Sequence, residues 1–335
     1  MIAAHNREQI GDMLELEGAH MISLRGVSKY FGRQRAVEDL DIEVPAGEIF
    51  GLLGHNGAGK STAIGMMLGQ VCPTAGEIRL CGHDVEIERQ LALQKVGAIF
   101  ESPVFYDYLS GWRNLEIFSH YTAPTSQKRI QEVIDWVGLT GREKSRVQTY
   151  SHGMRARLAL AQALLPAPEL LILDEPGDGL DPEGIHEMRQ MILRLHRELG
   201  LTILLSSHLL NEVEQLCSRI AVLNQGRKVF EGTVTQATQT KGWFRLRVEN
   251  FDRTVTLLRE AGLITDERDK CLIALAKGKQ SDQIIRFLVE QGISVFEAAA
   301  KEETLEDFYL ALVKGNKTKE TDAESRKDDR KPIGM

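Results

Sequence analysis

The sequence has no apolar run long enough to cross a membrane. Its uninterrupted hydrophobic stretches fall short of the roughly 18–20 residues that a transmembrane helix needs. Its first residues also lack the charged and then apolar pattern of a secretory signal. If the protein works at a membrane, we expect it to lie on the surface and to make contact only through another chain.

Cysteine is also scarce, and acidic side chains outnumber basic ones, 48 to 41. Four cysteines are scattered through 335 residues without C-x-x-C spacing, which is typical of reduced thiols in an intracellular protein. The pair Cys72 and Cys81 does not exclude a weak metal site. The formal net charge of −7 offers no overall positive field to nucleic acid, so we expect no nucleic-acid partner.

What the sequence does contain is a phosphate-binding motif. An apolar run, Ile49 to Leu53, predicts a buried parallel strand and is followed by the spacing G-x-x-x-x-G-K-S and an apolar helical stripe. The glycines let backbone N–H groups surround a polyphosphate at a helix N-terminus. Lys60 is expected to reach the β- and γ-phosphates, and the Ser61 hydroxyl to bind Mg²⁺. The residues of this loop that are predicted to bind a nucleoside triphosphate are Gly54, His55, Asn56, Gly57, Ala58, Gly59, Lys60, Ser61 and Thr62.

Two carboxylates end a later apolar run. Leu170 to Leu173 predicts a buried strand, and Asp174 and Glu175 follow it directly. We expect Asp174 to hold Mg²⁺, directly or through water, and Glu175 to deprotonate the water that attacks the γ-phosphate. Strands often end in polar residues without any function. The phosphate loop upstream in the same chain favours the functional interpretation.

Three further motifs allow a family comparison. Tyr150-Ser151-His152-Gly153-Met154 opens a predicted helix, Asp178-Gly179-Leu180-Asp181 follows the carboxylates, and Ser206-Ser207-His208 ends the next apolar strand. Over Ile22 to Gly232, this order resembles the ATP-binding subunit of an ABC transporter. Kinases, GTPases and helicases with phosphate loops lack the last three elements. The run Glu303 to Tyr309 resembles, more loosely, the end of bacterial drug-, peptide- and polysaccharide-exporter ATPases.

The resemblance implies a role for each motif. Ser151 and Gly153 match the signature sequence, which contacts the γ-phosphate held by a second subunit. That role suits a helix N-terminus with exposed N–H groups. Asp181 matches a loop that crosses the dimer interface. His208 matches the switch histidine, which contacts the γ-phosphate and supports Glu175 as the second catalytic residue.

The resemblance also points to a base-binding aromatic and to two departures. Phe31 lies where the family commonly stacks an aromatic on adenine, with Tyr30 as the alternative, although an aromatic that ends a strand is also often part of the core. Glu101 replaces the usual glutamine, as in bacitracin-resistance and lantibiotic-immunity exporters, and its carboxylate suits Mg²⁺. His152-Gly153-Met154 stands where Gly-Gly-Gln is usual.

The segment Ser102 to Leu109 mixes aromatic residues with turn residues. Because Pro103 disfavours a buried strand, we predict a loop that leads into a helical subdomain. Its aromatics are expected either in the core or, as the family suggests, against the membrane subunit. In the second case Glu101 would sense the metal–phosphate state.

The predicted fold class is α/β: a P-loop NTPase with an ABC-type core, an antiparallel β subdomain, a helical subdomain and a small α+β C-terminal appendage. Length alone favours roughly two domains of about 150 residues. The appendage shows two strand-like and two amphipathic helical runs. The expected divisions are an N-terminal extension (1–20), an ABC ATPase domain (21–232, helical subdomain about 105–166), an accessory domain (233–314) and a disordered charged tail (315–335).

The resemblance implies an ATP-binding and ATP-hydrolysing subunit that uses ATP and Mg²⁺. It would act at the cytoplasmic face of the membrane with a second ATPase subunit, identical or related, and power export through a separate permease. One alternative is a soluble ABC-type switch acting on DNA or ribosomes, which usually carries two cassettes, zinc inserts or long coiled coils. The other is a regulatory subunit without turnover, which the intact Lys60, Asp174, Glu175 and His208 disfavour.

Overall fold

The computed structural model describes residues 20–100, 104–122, 125–238, 243–301 and 304–313. These residues form two compact units that divide between Thr233 and Val234. Glu101 and the expected charged tail lie outside the described residues, as does nearly all of the expected N-terminal extension. Within the described ranges, no helix combines the length and the apolar character that crossing a membrane requires.

The first unit is built on two β-sheets. Its strands are β1 (His20–Phe31), β2 (Gln34–Pro45), β3 (Ile49–Leu53), β4 (Ala75–Leu80), β5 (His83–Asp84), β6 (Val96–Ile99), β7 (Leu170–Asp174), β8 (Thr202–Ser207), β9 (Arg219–Asn224) and β10 (Arg227–Thr233). The smaller sheet is antiparallel, in the order β2-β1-β4-β5. The larger sheet, in the order β10-β9-β3-β8-β7-β6, is parallel except for the antiparallel pair of β9 and β10.

Helices complete the α/β fold class that the sequence predicts. Those of the first unit are α1 (Lys60–Met67), α2 (Arg89–Gln94), α3 (Gly111–Thr122), α4 (Gln127–Trp136), α5 (His152–Leu164), α6 (Pro182–Leu199) and α7 (Leu210–Leu216). The Asp181 side chain caps α6 by accepting a hydrogen bond from the Gly184 N–H at 2.8 Å. This helix begins at Pro182 and ends before Gly200 in the left-handed conformation, as the usual terminal signals predict.

The core of the first unit anchors the phosphate loop on both sides. β3 and β7 are buried along their whole lengths, because both faces of a parallel sheet are covered. On α1, Ile64, Met66 and Met67 pack in the same core as apolar residues of β1 and β3. The loop between β3 and α1 therefore joins two buried elements, which fixes its position.

The described residues of the second unit form four strands where the sequence predicts two. Its elements are α8 (Val234–Thr238), β11 (Trp243–Val248), α9 (Phe251–Glu260), β12 (Ile264–Arg268), β13 (Leu272–Leu275), α10 (Ser281–Glu290), β14 (Val295–Lys301) and α11 (305–313). The sheet is antiparallel, in the order β12-β13-β11-β14. From β11 to β14 the chain has the β-α-β-β-α-β connectivity of the ferredoxin-like motif. One core joins Phe244 and Leu246 of β11 to Leu258 of α9 and Ile284 of α10.

Candidate nucleotide site

The phosphate loop turns sharply between β3 and α1. Gly57 and Gly59 adopt left-handed backbone angles, with φ of 82° and 105°. A Cβ atom on Gly59 would lie 2.6 Å from the carbonyl oxygen of Ala36 in β2, so a side chain there would displace the loop. The loop is thus pressed against β2, and its backbone N–H groups stand at the N-terminus of α1, where an anion is favoured.

Lys60 is the buried cation of the loop. Its side chain is 5% exposed, and its ammonium lies 2.8 Å from the Gly54 carbonyl oxygen and 3.2 Å from Oε1 of Glu175. A buried ammonium is costly unless it is paired. The pair with Glu175 stabilises this charge and places the lysine at the end of β7, beside the predicted carboxylates.

Ser206 organises the two carboxylates that end β7. Its hydroxyl donates a hydrogen bond to Oδ1 of Asp174 at 2.5 Å and accepts one from the Glu175 N–H at 3.0 Å. The sequence places Ser206 in a motif but assigns it no role. A signal for that role was available, because the carboxyl ends of neighbouring parallel strands meet at one edge of the sheet, where α/β proteins bind ligands.

Glu175 and His208 form a close pair. Oε2 of Glu175 lies 2.7 Å from Nδ1 of His208 and accepts a hydrogen bond from the His208 backbone N–H at 3.2 Å. Because a carboxylate can only accept, Nδ1 carries the proton in this contact. Glu175 has a φ of 49°, which is uncommon for a residue other than glycine and concentrates at functional sites.

One cleft brings most of the predicted ATP-binding and catalytic residues together. Its lining includes Phe31, His55, Asn56, Gly57, Gly59, Lys60, Ser61, Thr62, Glu175 and His208, with Gln34, Arg35, Ala36 and Asp178 in addition. Phe31 is 51% exposed and has the Lys29 ammonium 5.0 Å from its ring centre. The hydroxyl of Tyr30 instead bonds to Glu38 at 3.3 Å, and Tyr30 is not part of the lining, which favours Phe31 as the stacking residue.

A charged cluster that the sequence does not reveal stands at the rim of this cleft. Glu38 bonds to Arg227 at 2.8 Å and to Arg35 at 2.7 Å. The hydrogen bond from Arg227, assisted by the one from Arg35, lowers the pKa of Glu38 to about 2. Glu38 therefore stays ionised at neutral pH and holds Arg35 beside Phe31. Because Arg227 follows Glu38 by 189 residues, no local pattern could have predicted the cluster.

Ser151, Gly153 and Asp181 do not line this cleft. They line a second cleft between the start of α5 and the start of α6, together with Arg157 and Glu187. Ser151 caps α5, since its hydroxyl accepts a hydrogen bond from the Met154 N–H at 3.2 Å. The structure thus separates the predicted residues into two clefts of one chain.

The side chains near the loop suit a hard cation. The hydroxyl of Ser61 and the carboxylate of Asp174 are oxygen donors of the kind that Mg²⁺ prefers, and Mg²⁺ usually takes few protein ligands besides phosphate and water. Among the described residues, no three His, Cys, Asp or Glu side chains form a metal cluster. Burial raises the pKa of the Cys81 thiol to about 11. Because the thiolate is the form that binds a metal, this shift disfavours a metal site at Cys72 and Cys81.

Comparisons with known proteins agree with this geometry. A family model described as ABC transporter matches residues 37–178. YhcH of Bacillus subtilis strain 168, an uncharacterized ABC transporter ATP-binding protein, is 38% identical over 87% of this chain and 95% of its own. The bacitracin transport ATP-binding protein BcrA of Bacillus licheniformis is 36% identical over 88% of this chain and 98% of its own.

A solved structure supports the fold. The structure of cbiO1 from Clostridium perfringens, described as part of an ABC transporter complex, has a TM-score of 0.60 at 24% identity. The matched region covers 65% of this chain and 90% of the cbiO1 chain. With two relatives above 30% identity along nearly their whole lengths, the chain belongs to the family of ABC transporter ATP-binding proteins.

Proposed function

We propose that the protein binds ATP with Mg²⁺ in the cleft of the phosphate loop and hydrolyses it to power export through a separate permease. The observation that carries the proposal is the position of Glu175, held between Lys60 and His208 beside the loop. The relatives support the direction of transport, since two of them are named for bacitracin transport and daunorubicin resistance. Its place is then the cytoplasmic face of the membrane, bound through the permease.

The residues divide the work of hydrolysis between them. Phe31 stacks on adenine, while the loop and Lys60 bind the phosphates. Ser61 and Asp174 would hold Mg²⁺, which would neutralise phosphate charge when bound. Glu175 takes the proton of the attacking water, and His208 fixes its carboxylate through Nδ1. When phosphate replaces Glu175 as the partner of Lys60, Oε1 becomes free to face the water.

A second ATPase subunit completes each site. Ser151 and Gly153 lie at the exposed start of α5, apart from the chain's own phosphate loop. The N-terminus of a 13-residue helix favours an anion, and the γ-phosphate of a neighbouring subunit would supply it. Asp181, which lines the same cleft, would lie at the interface of the two subunits.

We expect ATP to trap a dimer of the Glu175→Gln variant, which binds ATP but hydrolyses it only slowly. Adding Ser151→Asp should return this variant to the monomer, because a carboxylate would face the γ-phosphate across the interface. Aspartate is as good an N-cap as serine, so α5 should remain intact. Light scattering with saturating ATP measures the mass of the particle in solution.

Ser126→Asp is the matched control for this experiment. Ser126 caps α4 through a 3.2 Å hydrogen bond from the Arg129 N–H and lines neither cleft. The control should leave the trapped dimer unchanged. A Glu175→Gln protein that stays monomeric with ATP, or a Ser151→Asp variant that still dimerises, would contradict the proposed assembly.

The aromatic segment before α3 is the proposed contact with the permease. Phe105 is buried and packs edge-on against Phe118 with ring centres 6.1 Å apart. Tyr106 and Tyr108 are 43% and 67% exposed. The fully buried Asn114 fixes the segment, since its side chain accepts from the Tyr106 N–H at 2.8 Å and donates to the Tyr106 carbonyl at 3.1 Å. Asn114 thus fixes the backbone of Tyr106 at the surface, and the ring of Tyr108 stands beside that of Tyr106 with ring centres 6.2 Å apart.

We expect Tyr108→Ala to lower transport by the assembled transporter more than basal ATP hydrolysis by the isolated subunit. Its ring is exposed, so the melting temperature should hardly change, whereas Phe105→Ala should lower it because a buried ring is lost. Transport assays, ATPase assays and thermal melts of both variants separate the two effects. Equal loss of both activities in Tyr108→Ala, with a lower melting temperature, would rule out the contact.

Glu101, outside the described residues, remains a hypothesis as a sensor of the metal–phosphate state. Glu101→Gln is expected to keep the fold and much of the ATPase activity, because glutamine also offers an oxygen ligand. It should change how strongly hydrolysis depends on the permease. An unchanged ratio of coupled to basal ATPase activity would remove Glu101 from this role.

A further inference from the structure

The two edge strands of the second unit's sheet differ in how well their side chains prevent pairing with another chain. At one edge, β12 exposes four polar or charged residues in a row, Thr265 to Arg268. Charged side chains of this kind keep an edge strand from pairing with another chain. At the other edge, β14 carries three consecutive alanines, Ala298 to Ala300, between Glu297 and Lys301. The β14 edge thus lacks the row of charges that protects β12.

An exposed apolar groove runs beside β14. Val289 of α10 is 65% exposed and Phe296 is 67% exposed. Together with Ile285 and Ile293 they line an open groove between α10 and β14. Large apolar side chains that are grouped in this way mark interaction surfaces.

The last five residues of β14, which is an edge strand of the described sheet, have a regular backbone register. Phe296 is the extra residue of a β-bulge, because Arg247 pairs with Glu297 while Val248 pairs with Val295. From Glu297 to Lys301 the pairing with β11 runs without interruption. Ala299 is the midpoint of this regular segment.

We propose that β14 pairs antiparallel with β14 of a second copy of this chain, which joins the two sheets into one of eight strands. A two-fold axis at Ala299 sets Glu297 of each copy opposite Lys301 of the other, so the segment is complementary to itself in charge. Ala298 then faces Ala300, and these small side chains let the strands approach. Each apolar groove then lies at one end of this strand pair, because Val295 and Phe296 precede the regular segment.

Cysteine cross-linking of the full chain tests this register. In a Cys72→Ser background, which removes the exposed native cysteine, Ala299→Cys should form a covalent dimer under mild oxidation without nucleotide. Residues directly opposite in an antiparallel pair have Cα atoms about 4.5–5.5 Å apart, within the usual range of a disulfide. Thr265→Cys, on the protected edge, should give no covalent dimer.

A charge at the axis provides the second readout. Ala299→Lys would set two like charges opposite each other, so sedimentation without nucleotide should shift from the mass of two chains to that of one. Thr265→Lys should leave the mass unchanged. Every variant also carries Ser151→Asp, which is expected to prevent the ATP-dependent dimer proposed above. A failure of this test is therefore distinguishable from a failure of the proposed function.

Two results would overturn the proposal. One is a monomeric parent protein whose Ala299→Cys variant does not cross-link, which would mean that something other than a second copy covers this edge. The other is an Ala299→Lys variant that remains dimeric. Because Ala299 is exposed, both substitutions are compatible with a folded second unit, which circular dichroism confirms before each measurement.

Discussion

Replacing Glu175 by glutamine is expected to slow ATP hydrolysis by about 10²–10⁴-fold, the usual contribution of a positioned general base. Glutamine has the same shape and keeps an oxygen within reach of Lys60, but its amide cannot take a proton. The His208 contact would survive only in part, since the amide nitrogen cannot accept from Nδ1. Single-turnover hydrolysis and equilibrium ATP binding, measured on the same folded preparation, separate chemistry from affinity.

Lys60→Ala is the contrasting variant for this experiment. It removes the buried ammonium that meets the phosphates, so we expect weaker ATP binding rather than a slow chemical step with normal binding. It also leaves the Glu175 carboxylate without its cation. Near-normal turnover in Glu175→Gln would show that another group is the base, whatever the Lys60 variant does.

The second large effect is on stability and concerns Gly97 in β6. A Cβ atom at this position would lie 2.1 Å from the carbonyl oxygen of Ala163 in α5, a distance that neither backbone can tolerate. Gly97→Ala must therefore separate the strand from the helix. Overpacking of this kind costs about 3 kcal/mol or more. That cost lowers the melting temperature by about 6–12 °C for a unit of this size.

Gly153→Ala is the matched control, because the nearest atom to its added Cβ would be 4.0 Å away. Gly153 lies in the first turn of α5, where alanine is the better helix former, so the melting temperature should stay the same or rise. Thermal denaturation without nucleotide compares the two variants. If Gly97→Ala has the same melting temperature as the parent protein, β6 does not pack against α5 as closely as described.

Local signals explain which elements the sequence predicts well. β3 has the predicted limits, because an unbroken apolar run marks it. The ends of α6 coincide with signals that are visible in the sequence, which are a cap, a proline and a following glycine. For β1, the sequence pattern indicates a strand only around Ile22 to Val27, whereas the strand runs from His20 to Phe31, since it continues through irregular pairing with β2 that breaks the alternation.

The difference between two predicted and four observed strands in the second unit has a physical cause as well. β12 is polar along four of its five residues, and β14 is rich in alanine, which has little strand preference. Both lie at edges of the sheet, where only one side of a strand has a partner. Because of these compositions, neither strand shows the alternation of apolar and polar residues that marks a half-buried strand.

For the nucleotide site, the sequence could predict the residues but not their mutual contacts. Lys60, Asp174, Glu175 and His208 belong to motifs that are read locally. The bridge that Ser206 makes between Asp174 and Glu175 depends on the pairing of β7 with β8. Such contacts follow from the three-dimensional arrangement of strands and leave no spacing in the sequence.

The ion pair of Lys60 and Glu175 has a consequence for affinity. Both the carboxylate and an incoming polyphosphate need the same ammonium, so Glu175 is a tethered competitor of the nucleotide. Under the proposed mechanism, part of the energy of phosphate binding would go into displacing this competitor, so the carboxylate would turn to the attacking water only when phosphate is present. We therefore expect the chain to bind ATP less tightly than it would without this ion pair, while the proposed base stays paired until the substrate arrives.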